Sequence, residues 1–284
     1  MNIDDIFIKT HDVLLDPDPV HKAFASIDLY TQWQALSQEQ QQAAQARPDA
    51  SAIDVLDAPG RPEHPRLVDT KDLPRRGLGS TKGRIGLLHS LAHIEFNAIN
   101  LALDAVYRFR HMPLQYITEW LHVASDEGKH FLLLHKRLGS LDAAYGDLPA
   151  HDGLWDMARR TSHDVLVRMA LVPRILEARG LDVAPPMIDK LNQLGDEASA
   201  AILQRIYTDE ITHVEIGNRW FRYVCESREL DGTAVFRDLL KGENSGYLKS
   251  PYNTEARLQA GFNHEELALI AEMEAEYKAA MTHS

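Results

Sequence analysis

The chain has 284 residues, the length of one large or two small domains. Of these residues 44% are hydrophobic and 25% are charged, a composition typical of a folded globular protein. Its 30 basic and 42 acidic residues give a net charge of −12, which argues against a surface built to neutralise the phosphates of a nucleic acid. The single cysteine, Cys225, excludes an internal disulfide and any metal site held by several cysteines of this chain. The first residues lack a basic segment followed by an apolar one, and no uncharged apolar run is long enough to span a membrane, so we expect a cytoplasmic protein.

Proline, glycine and hydrophobic periodicity divide the chain into three parts. Residues 1–34 mix apolar and polar positions and predict one or two short helices, whereas the Pro- and Gly-rich stretch 45–80 predicts an extended linker or surface strap. We therefore treat residues 1–80 as an N-terminal segment that packs on a helical domain formed by residues 81–228. Residues 229–284 are expected to form a C-terminal extension of loops and a helix.

Helical periodicity, with apolar residues at i, i+3 and i+4, begins at Gly83. It predicts four long helices and a final amphipathic one, over about 83–106, 113–138, 154–179, 196–226 and 265–280. Gly180 is expected to end the third helix, and Pro185-Pro186 to open a short helical piece before the fourth. No segment alternates convincingly like a β-strand, so the sequence predicts an all-α protein.

The sequence Asp-Glu-x-x-His occurs twice, at 126–130 and at 209–213, each time within a long predicted helix. Three residues turn an α-helix through about 300°, so the Glu and the His of each copy lie on one face and can ligate the same metal centre. A predicted helix with one Glu precedes each copy, by 32 residues in the first case and by 33 in the second. The six candidate ligands are Glu95, Glu127, His130, Glu177, Glu210 and His213.

This ligand pattern indicates a dinuclear metal site. One Glu from each of two helices and Glu-x-x-His from each of two others hold a pair of iron or manganese ions in four-helix bundles. An antiparallel hairpin folded near residue 111, midway between Glu95 and Glu127, would put both carboxylates at the same height. The first half of the pattern therefore fits one helical hairpin.

The second half of the pattern fits less well. The midpoint between Glu177 and Glu210 is 193.5, whereas the third helix is expected to end at Gly180. Residues 181–195 would then make an excursion before the fourth helix, and Glu177 would lie near a helix terminus. Pro173 removes one helical hydrogen bond and is expected to kink the helix that carries Glu177.

Four motifs carry a family resemblance: H-x-E-x-x-A-I-x-L-x-L-D at 93–104, D-E-x-x-H-F at 126–131, E-A-R-G-L-D at 177–182 and D-E-x-x-H-V at 209–214. With these motifs the chain resembles the ferritin-like di-iron carboxylate superfamily, and more closely an uncharacterised bacterial family within it. A tRNA-hydroxylating di-iron family is a more distant resemblance. The resemblance covers about residues 80–225 and implies a ferritin-like four-helix bundle, with N- and C-terminal extensions, in which the six candidate residues ligate two iron or manganese ions.

The resemblance implies a non-haem di-iron or di-manganese oxidoreductase that activates O₂ or peroxide. Its expected partners are a small-molecule substrate and an electron donor, with no nucleic acid and no membrane, and a homodimer is left open. One alternative is a tRNA-modifying hydroxylase, which the charge of −12 disfavours. The other is an iron-binding or detoxification protein without substrate turnover.

Other polar residues near the motifs have two interpretations each. Asp126 and Asp209 either accept a hydrogen bond from a ligand imidazole or are exposed helix residues. His89 and His93 share a predicted helix with Glu95, and we expect both to be satisfied packing residues rather than ligands. Five basic residues either form solvated surface segments or anchor an anionic substrate: Arg75, Arg76, Arg84, Lys249 and Arg257.

Overall fold

A computed structural model describes residues 6–46, 56–74 and 77–282 of the chain. Across these ranges the regular structure is helical, apart from an isolated parallel β-bridge between Leu67 and Ala150, so the all-α prediction is confirmed. No helix within these ranges combines the length and apolar character needed to cross a membrane. The chain forms two compact units, Met1–Arg159 and Arg160–Ser284, and the three-part division at residues 80 and 228 stays a prediction.

The helices of the first unit are α1 (Ile6–Leu15), α2 (Pro19–Gln34), α3 (Gln38–Ala46), α4 (Thr81–Arg108), α5 (Leu114–Gly139) and α6 (Gly153–Arg160), of which α6 ends at the unit boundary. Those of the second are α7 (Val165–Leu171), α8 (Ala178–Gln193), α9 (Glu197–Ser227), α10 (Gly232–Leu239), α11 (Thr254–Gln259) and α12 (His264–Thr282). A π-helical segment, Val172–Glu177, joins α7 to α8. Short 3₁₀ turns lie at Thr70–Asp72 and Gly242–Tyr247.

Helices α4 and α5 form the predicted antiparallel hairpin. The Ser80 hydroxyl caps α4 by accepting a hydrogen bond from the Gly83 amide at 3.1 Å. The turn between the helices covers residues 109–113, which includes the predicted midpoint at residue 111. Helix α2 packs against α5, where a Cβ at Gly128 would lie only 2.7 Å from the carbonyl oxygen of Ala23. Glycine at this position therefore sets how closely the two helices approach.

A buried lysine joins α1, α2, α4 and the strap, which is the Pro- and Gly-rich segment after α3. The fully buried Lys22 ammonium donates to the carbonyl oxygens of Leu14 (2.9 Å) and Gly60 (2.6 Å) and to Asn100 Oδ1 (2.6 Å). Burial lowers the pKa of Lys22 to about 7. Three acceptors match the three N–H bonds of the ammonium, so this contact fixes the strap to the helices.

The described part of the strap, residues 56–74, is irregular apart from the β-bridge at Leu67 and the 3₁₀ turn at Thr70–Asp72. Its backbone pairs with Ala150 on both sides, through Val68 N to Ala150 O at 2.8 Å and Ala150 N to Arg66 O at 3.1 Å. The Trp155 indole also donates to the carbonyl oxygen of Asp57 at 3.0 Å. These contacts dock the strap on the first unit.

The second unit contains a second helical hairpin, and here two sequence predictions are wrong. The predicted helix over 154–179 is interrupted at residues 161–164, where Asp164 caps α7 by accepting from the Leu166 amide at 2.9 Å. The predicted end at Gly180 is also wrong, because α8 continues to Gln193 and residues 181–195 make no excursion. The turn to α9 lies at residues 194–196, just after the midpoint of 193.5 between Glu177 and Glu210, so the second pair also fits a hairpin.

Helix α8 contains two internal prolines, and a neighbouring segment replaces the donor that is missing at the first of them. Pro185 has no N–H, so it cannot bond to the carbonyl oxygen four residues earlier, at Leu181. The Asn253 side-chain amide donates to that oxygen at 3.2 Å. The sequence pattern of α8 alone does not show this contact, since its partner lies 72 residues away.

Candidate metal centre

The first hairpin brings together its three predicted ligands. Glu95 comes from α4, and Glu127 and His130 come from consecutive turns of α5. His130 Nδ1 lies 3.2 Å from Glu95 Oε2 and 3.3 Å from Glu127 Oε2. One potential ligand atom from each residue lies within 4.8 Å of the other two, and the residues are only 3%, 0% and 1% exposed. We call these three residues the first half-site.

The charge distribution of the first half-site favours a cation. Burial raises the pKa of Glu95 well above its ordinary value, and the neighbouring Glu127 carboxylate raises it further. The hydrogen bond from His130 opposes this shift without reversing it. Two carboxylates that repel one another in a dry environment gain most from a divalent ion, which can replace the proton. The donor set of two carboxylates and one imidazole suits iron or manganese.

The second hairpin carries the same candidate ligand types, with its two glutamates 33 residues apart instead of 32. Glu177 ends the π-helical segment, and Glu210 and His213 lie on α9. His213 Nδ1 lies 3.9 Å from Glu210 Oε1, and the side chains are 1% and 12% exposed. Glu177 is partly buried. We call these three residues the second half-site.

A π-helical segment covers Pro173, the position where the sequence predicts a kink, and the kink itself stays a prediction. A π-helix closes its hydrogen bonds at i to i+5 instead of i to i+4, so the helix is irregular at this proline. The Pro173 ring lies against α9 at Gly217, where a Cβ would come within 2.2 Å of Pro173 Cβ. Glu177 therefore lies at the end of an irregular turn that packs against α9, the helix that carries Glu210 and His213.

The two aspartates that precede the ligand motifs have partners on their own helices. Asp126 accepts a hydrogen bond from Lys129 Nζ at 2.8 Å and lies 3.2 Å from His122 Nε2. Asp209 accepts from Arg205 Nε at 2.6 Å. A role for either aspartate in orienting a ligand imidazole stays a prediction.

The predicted anchors for an anionic substrate lie in different environments. Arg84 donates to Thr81 Oγ1 at 3.3 Å near the start of α4, and Lys249 is exposed. Arg257 is only 3% exposed and forms two hydrogen bonds with the Asp182 carboxylate, at 2.9 and 2.8 Å. Its guanidinium thus holds the segment around α11 on α8. Arg75 and Arg76 lie outside the described residues, and the anchor role stays a prediction.

His89 and His93 are satisfied packing residues, as the sequence analysis expects. His89 Nε2 accepts from the Gly146 amide at 3.0 Å. His93 Nδ1 lies 2.9 Å from the Tyr145 hydroxyl and its Nε2 lies 3.0 Å from the carbonyl oxygen of His151. Burial lowers the pKa of His93 to about 4, so this ring is neutral at ordinary pH.

A small cavity of about 10 Å³, which is room for about one water molecule, lies between the strap and α4, and it was not predicted from the sequence. Its lining combines apolar strap residues with polar groups from the neighbouring loop and helix, among them Pro62, Leu67, His93, Asn97, Tyr145 and Asp152. Its sequence signal is weak, because only the prolines of the strap and the His-x-Glu motif mark the two sides.

Comparisons with known proteins find a relative and a family that each match most of this chain. An uncharacterized protein of Haemophilus influenzae strain Rd is 46% identical over 225 residues, which cover 77% of this chain and 78% of the relative. No solved structure matches. The family described as "Protein of unknown function (DUF455)" matches residues 15–268, a range that contains both half-sites. The chain therefore belongs to the DUF455 family.

Proposed function

We propose that the protein is a di-iron or di-manganese oxidoreductase whose six ligands are Glu95, Glu127, His130, Glu177, Glu210 and His213. The observation that carries the proposal is the first half-site, in which two carboxylates and an imidazole lie within 4.8 Å of one another at no more than 3% exposure. The second half-site repeats its ligand types and its Glu-x-x-His spacing. This repetition supports two ions that share the six ligands.

The burial of the first half-site favours metal binding over a purely structural role. An ionised carboxylate loses its hydration when buried, and a second carboxylate beside it adds repulsion. A structural core gains nothing from such a pair that an apolar pair of similar volume would not supply. A divalent cation offsets both costs, so the arrangement is best explained by an ion that belongs there.

The six residues have different roles in binding the metal ions and in leaving the centre accessible to a substrate. The four carboxylates would bind the ions and balance their charge, and His130 and His213 would each be a ligand to one of them. Glu210 is more exposed than Glu127, with side chains at 12% and 0%, so we expect substrate to approach the second half-site. A pair of iron ions, when bound, supplies electrons for the reduction of O₂ or peroxide coupled to oxidation of an organic compound.

The metal content of the purified protein tests the first part of the proposal. After expression with ample iron, we expect close to two ions per chain, and less in Glu127→Ala and in His213→Ala, which each remove one ligand from one half-site. Elemental analysis with a protein assay gives the ratio. Wild-type protein with less than about half an ion per chain would contradict the site.

Reaction with oxygen tests the second part. The anaerobically reduced, iron-loaded protein is mixed with oxygenated buffer in a stopped-flow instrument, and O₂ consumption is followed with the absorbance of the iron. We expect rapid oxidation that stops at about two irons per chain. An inert reduced protein would leave a metal-binding protein without turnover, and continued uptake of many irons would indicate storage.

The finer assignments remain part of the proposal. They are a small organic substrate, an unidentified electron donor and a cytoplasmic site of action. Modification of tRNA is the weaker alternative, because the net charge of −12 opposes binding to phosphates.

A further inference from the structure

The π-helical segment of the second unit holds a fully buried arginine that the proposed function does not use. Arg174 is 0% exposed and forms an ion pair with Glu266, near the start of α12. Its guanidinium carbon lies 3.9 Å from the ring centre of Phe236, 4.2 Å from that of Phe221 and 5.2 Å from that of Phe262. These rings come from α10, α9 and the loop before α12, so one side chain connects the segment to three elements.

The partner carboxylate is itself fixed in position. Glu266 Oε2 accepts from the Asn263 amide at 3.0 Å, and Asn263 Oδ1 accepts from the Glu266 amide at 2.8 Å. This reciprocal pair is a capping box at the start of α12. Glu266 therefore meets Arg174 from a rigid helix end rather than from a mobile side chain.

The aromatic rings explain why the residue is arginine. Within the described residues, Nε and Nη1 of Arg174 have no hydrogen-bond partner, although both are buried. A planar guanidinium can place these N–H groups against aromatic faces, which carry partial negative charge, whereas a lysine ammonium cannot cover three rings. Burial lowers the pKa of Arg174 to about 10, and the side chain remains charged at neutral pH.

The segment is also fixed by the close approach of the Pro173 ring to the backbone of α9. Pro173, next to Arg174, lies against Gly217 of α9, where even a methyl group would come within 2.2 Å of the proline ring. Arg174 and Pro173 thus hold consecutive residues of the π-helix, three and four residues before Glu177. An irregular turn inside a helix costs backbone hydrogen bonding and persists only where its surroundings over-determine it.

We infer that Arg174 is a positioning residue: with Glu266 and the three phenylalanine rings it holds the π-helical turn that presents Glu177 to the metal. The inference rests on the proposed metal site. It predicts that substitution of Arg174 weakens metal binding at the second half-site, beyond any effect that a general loss of folding stability would have. It also predicts the same change when the segment is disturbed from the Gly217 side.

Titration with Co²⁺ tests the inference without any assay of activity. Bound Co²⁺ has a visible spectrum that reports its coordination, and we expect the two half-sites to fill in two steps of different affinity. In Arg174→Lys and in Gly217→Ala we expect the affinity of one step to fall at least about 10-fold with a changed spectrum, the scale of losing an outer contact to a metal ligand. The other step should keep the wild-type affinity. Glu266→Gln, which keeps the helix cap, should show a smaller change of the same kind.

Arg168→Lys is the matched control for general damage. Arg168 is also buried, at 1% exposure, and lies on α7 before the π-helical segment, where its Nε donates to Thr161 at 2.6 Å. All proteins are titrated at a temperature at which circular dichroism shows them folded. We expect Arg168→Lys to lower the melting temperature of the metal-free protein but to leave both Co²⁺ steps and their spectra unchanged.

The outcomes separate the inference from the function on which it rests. Wild-type protein that binds no Co²⁺ would overturn the proposed metal site and the inference with it. Wild-type protein that binds two Co²⁺ ions, with Arg174→Lys and Gly217→Ala matching Arg168→Lys in both steps, would overturn the inference alone. Loss of all binding in unfolded Arg174→Lys would transfer the decision to Gly217→Ala and Glu266→Gln, which disturb the same turn from other contacts.

Discussion

The two helical hairpins carry one ligand pattern on two kinds of backbone. In the first, Glu95 and Glu127 lie on unbroken helices, α4 and α5, that are joined by a short turn. In the second, Glu177 ends a π-helical turn, and the helix that follows it, α8, contains two internal prolines. The comparison shows that ligand spacing is set by the position of each turn between helices, since both turns lie at or just after the midpoint between their glutamates.

The hairpins also differ in how tightly their ligands are enclosed. The ligands of the first half-site are at most 3% exposed, whereas the side chain of Glu210 is 12% exposed and Glu177 is only partly buried. A closed site on regular helices holds an ion in one geometry. A more open site on an irregular helix can change its geometry when a substrate or oxygen arrives, and we propose this division of roles for the two half-sites.

The largest effect is expected from removal of Arg257, whose ion pair with Asp182 clamps the segment around α11 to α8. Arg257→Ala removes the shorter ion pair of the buried Asp182 carboxylate of α8 and leaves it with Arg179 at 3.4 Å. The expected loss of unfolding free energy is about 3 kcal/mol, the lower end of the range for breaking a buried pair. Chemical denaturation measures the loss. Hydrogen exchange should increase in α8 and remain unchanged in α4 and α5.

An exposed ion pair of the same unit provides the control for Arg257. Arg228 pairs with Asp164 at 2.7 Å, and the side chains are 39% and 27% exposed. Arg228→Ala should cost no more than about 1 kcal/mol. Equal effects of the two variants would show that Asp182 is solvated in solution and that α8 needs no clamp.

Removal of the metal should destabilise the protein by a somewhat smaller amount. Ions that bind only the folded chain stabilise it by about 2.7 kcal/mol at a free concentration of 100 times Kd. We expect a lower melting temperature after chelation, with recovery when Fe²⁺ or Mn²⁺ is restored. An unchanged melting temperature after verified removal would contradict a buried centre.

The metal-free protein should also acquire a pH dependence that the loaded protein lacks. The pKa of Glu95 in the folded protein is raised, so between the ordinary value of 4.5 and that raised value the folded chain binds more protons than the unfolded chain. Stability of the metal-free protein therefore falls as pH rises through this window. Melting curves with and without metal from pH 5 to 8 measure it, and Glu95→Gln should remove the dependence.

The sequence predicted the first hairpin well because its signals are local. The periodicity of α4 and α5, the turn at residues 109–113 and the spacing of Glu95 and Glu127 all lie within one continuous segment. The second hairpin was misjudged because its helix is completed by distant residues. Gly180 and Pro185-Pro186 ordinarily end a helix, and here the donor that satisfies Leu181 comes from Asn253.

The candidate site shows the same division. The candidate ligands were chosen from their spacing along the chain, and the three residues of the first half-site lie close together in the structure. The cluster of side chains around Arg174 could not be predicted from the sequence. Its members lie far apart between residues 221 and 266 and share no motif: Phe221, Phe236, Phe262 and Glu266. Packing of this kind is determined by tertiary structure alone.

The smallest effects are expected at one glycine in each hairpin, and they should have opposite signs. Gly128 of α5 faces the Ala23 carbonyl oxygen at 2.7 Å from an ideal Cβ, so Gly128→Ala must push α2 away and should cost about 1–3 kcal/mol. Gly180 of α8 has no atom within 4 Å of an ideal Cβ, so Gly180→Ala adds helix propensity without a clash and should gain about 0.5–1 kcal/mol. Urea denaturation of the metal-free variants measures both. A destabilising Gly180→Ala would show that α8 needs flexibility at the position where the sequence predicted its end, and a neutral Gly128→Ala would show that α2 is loosely packed beside the first half-site.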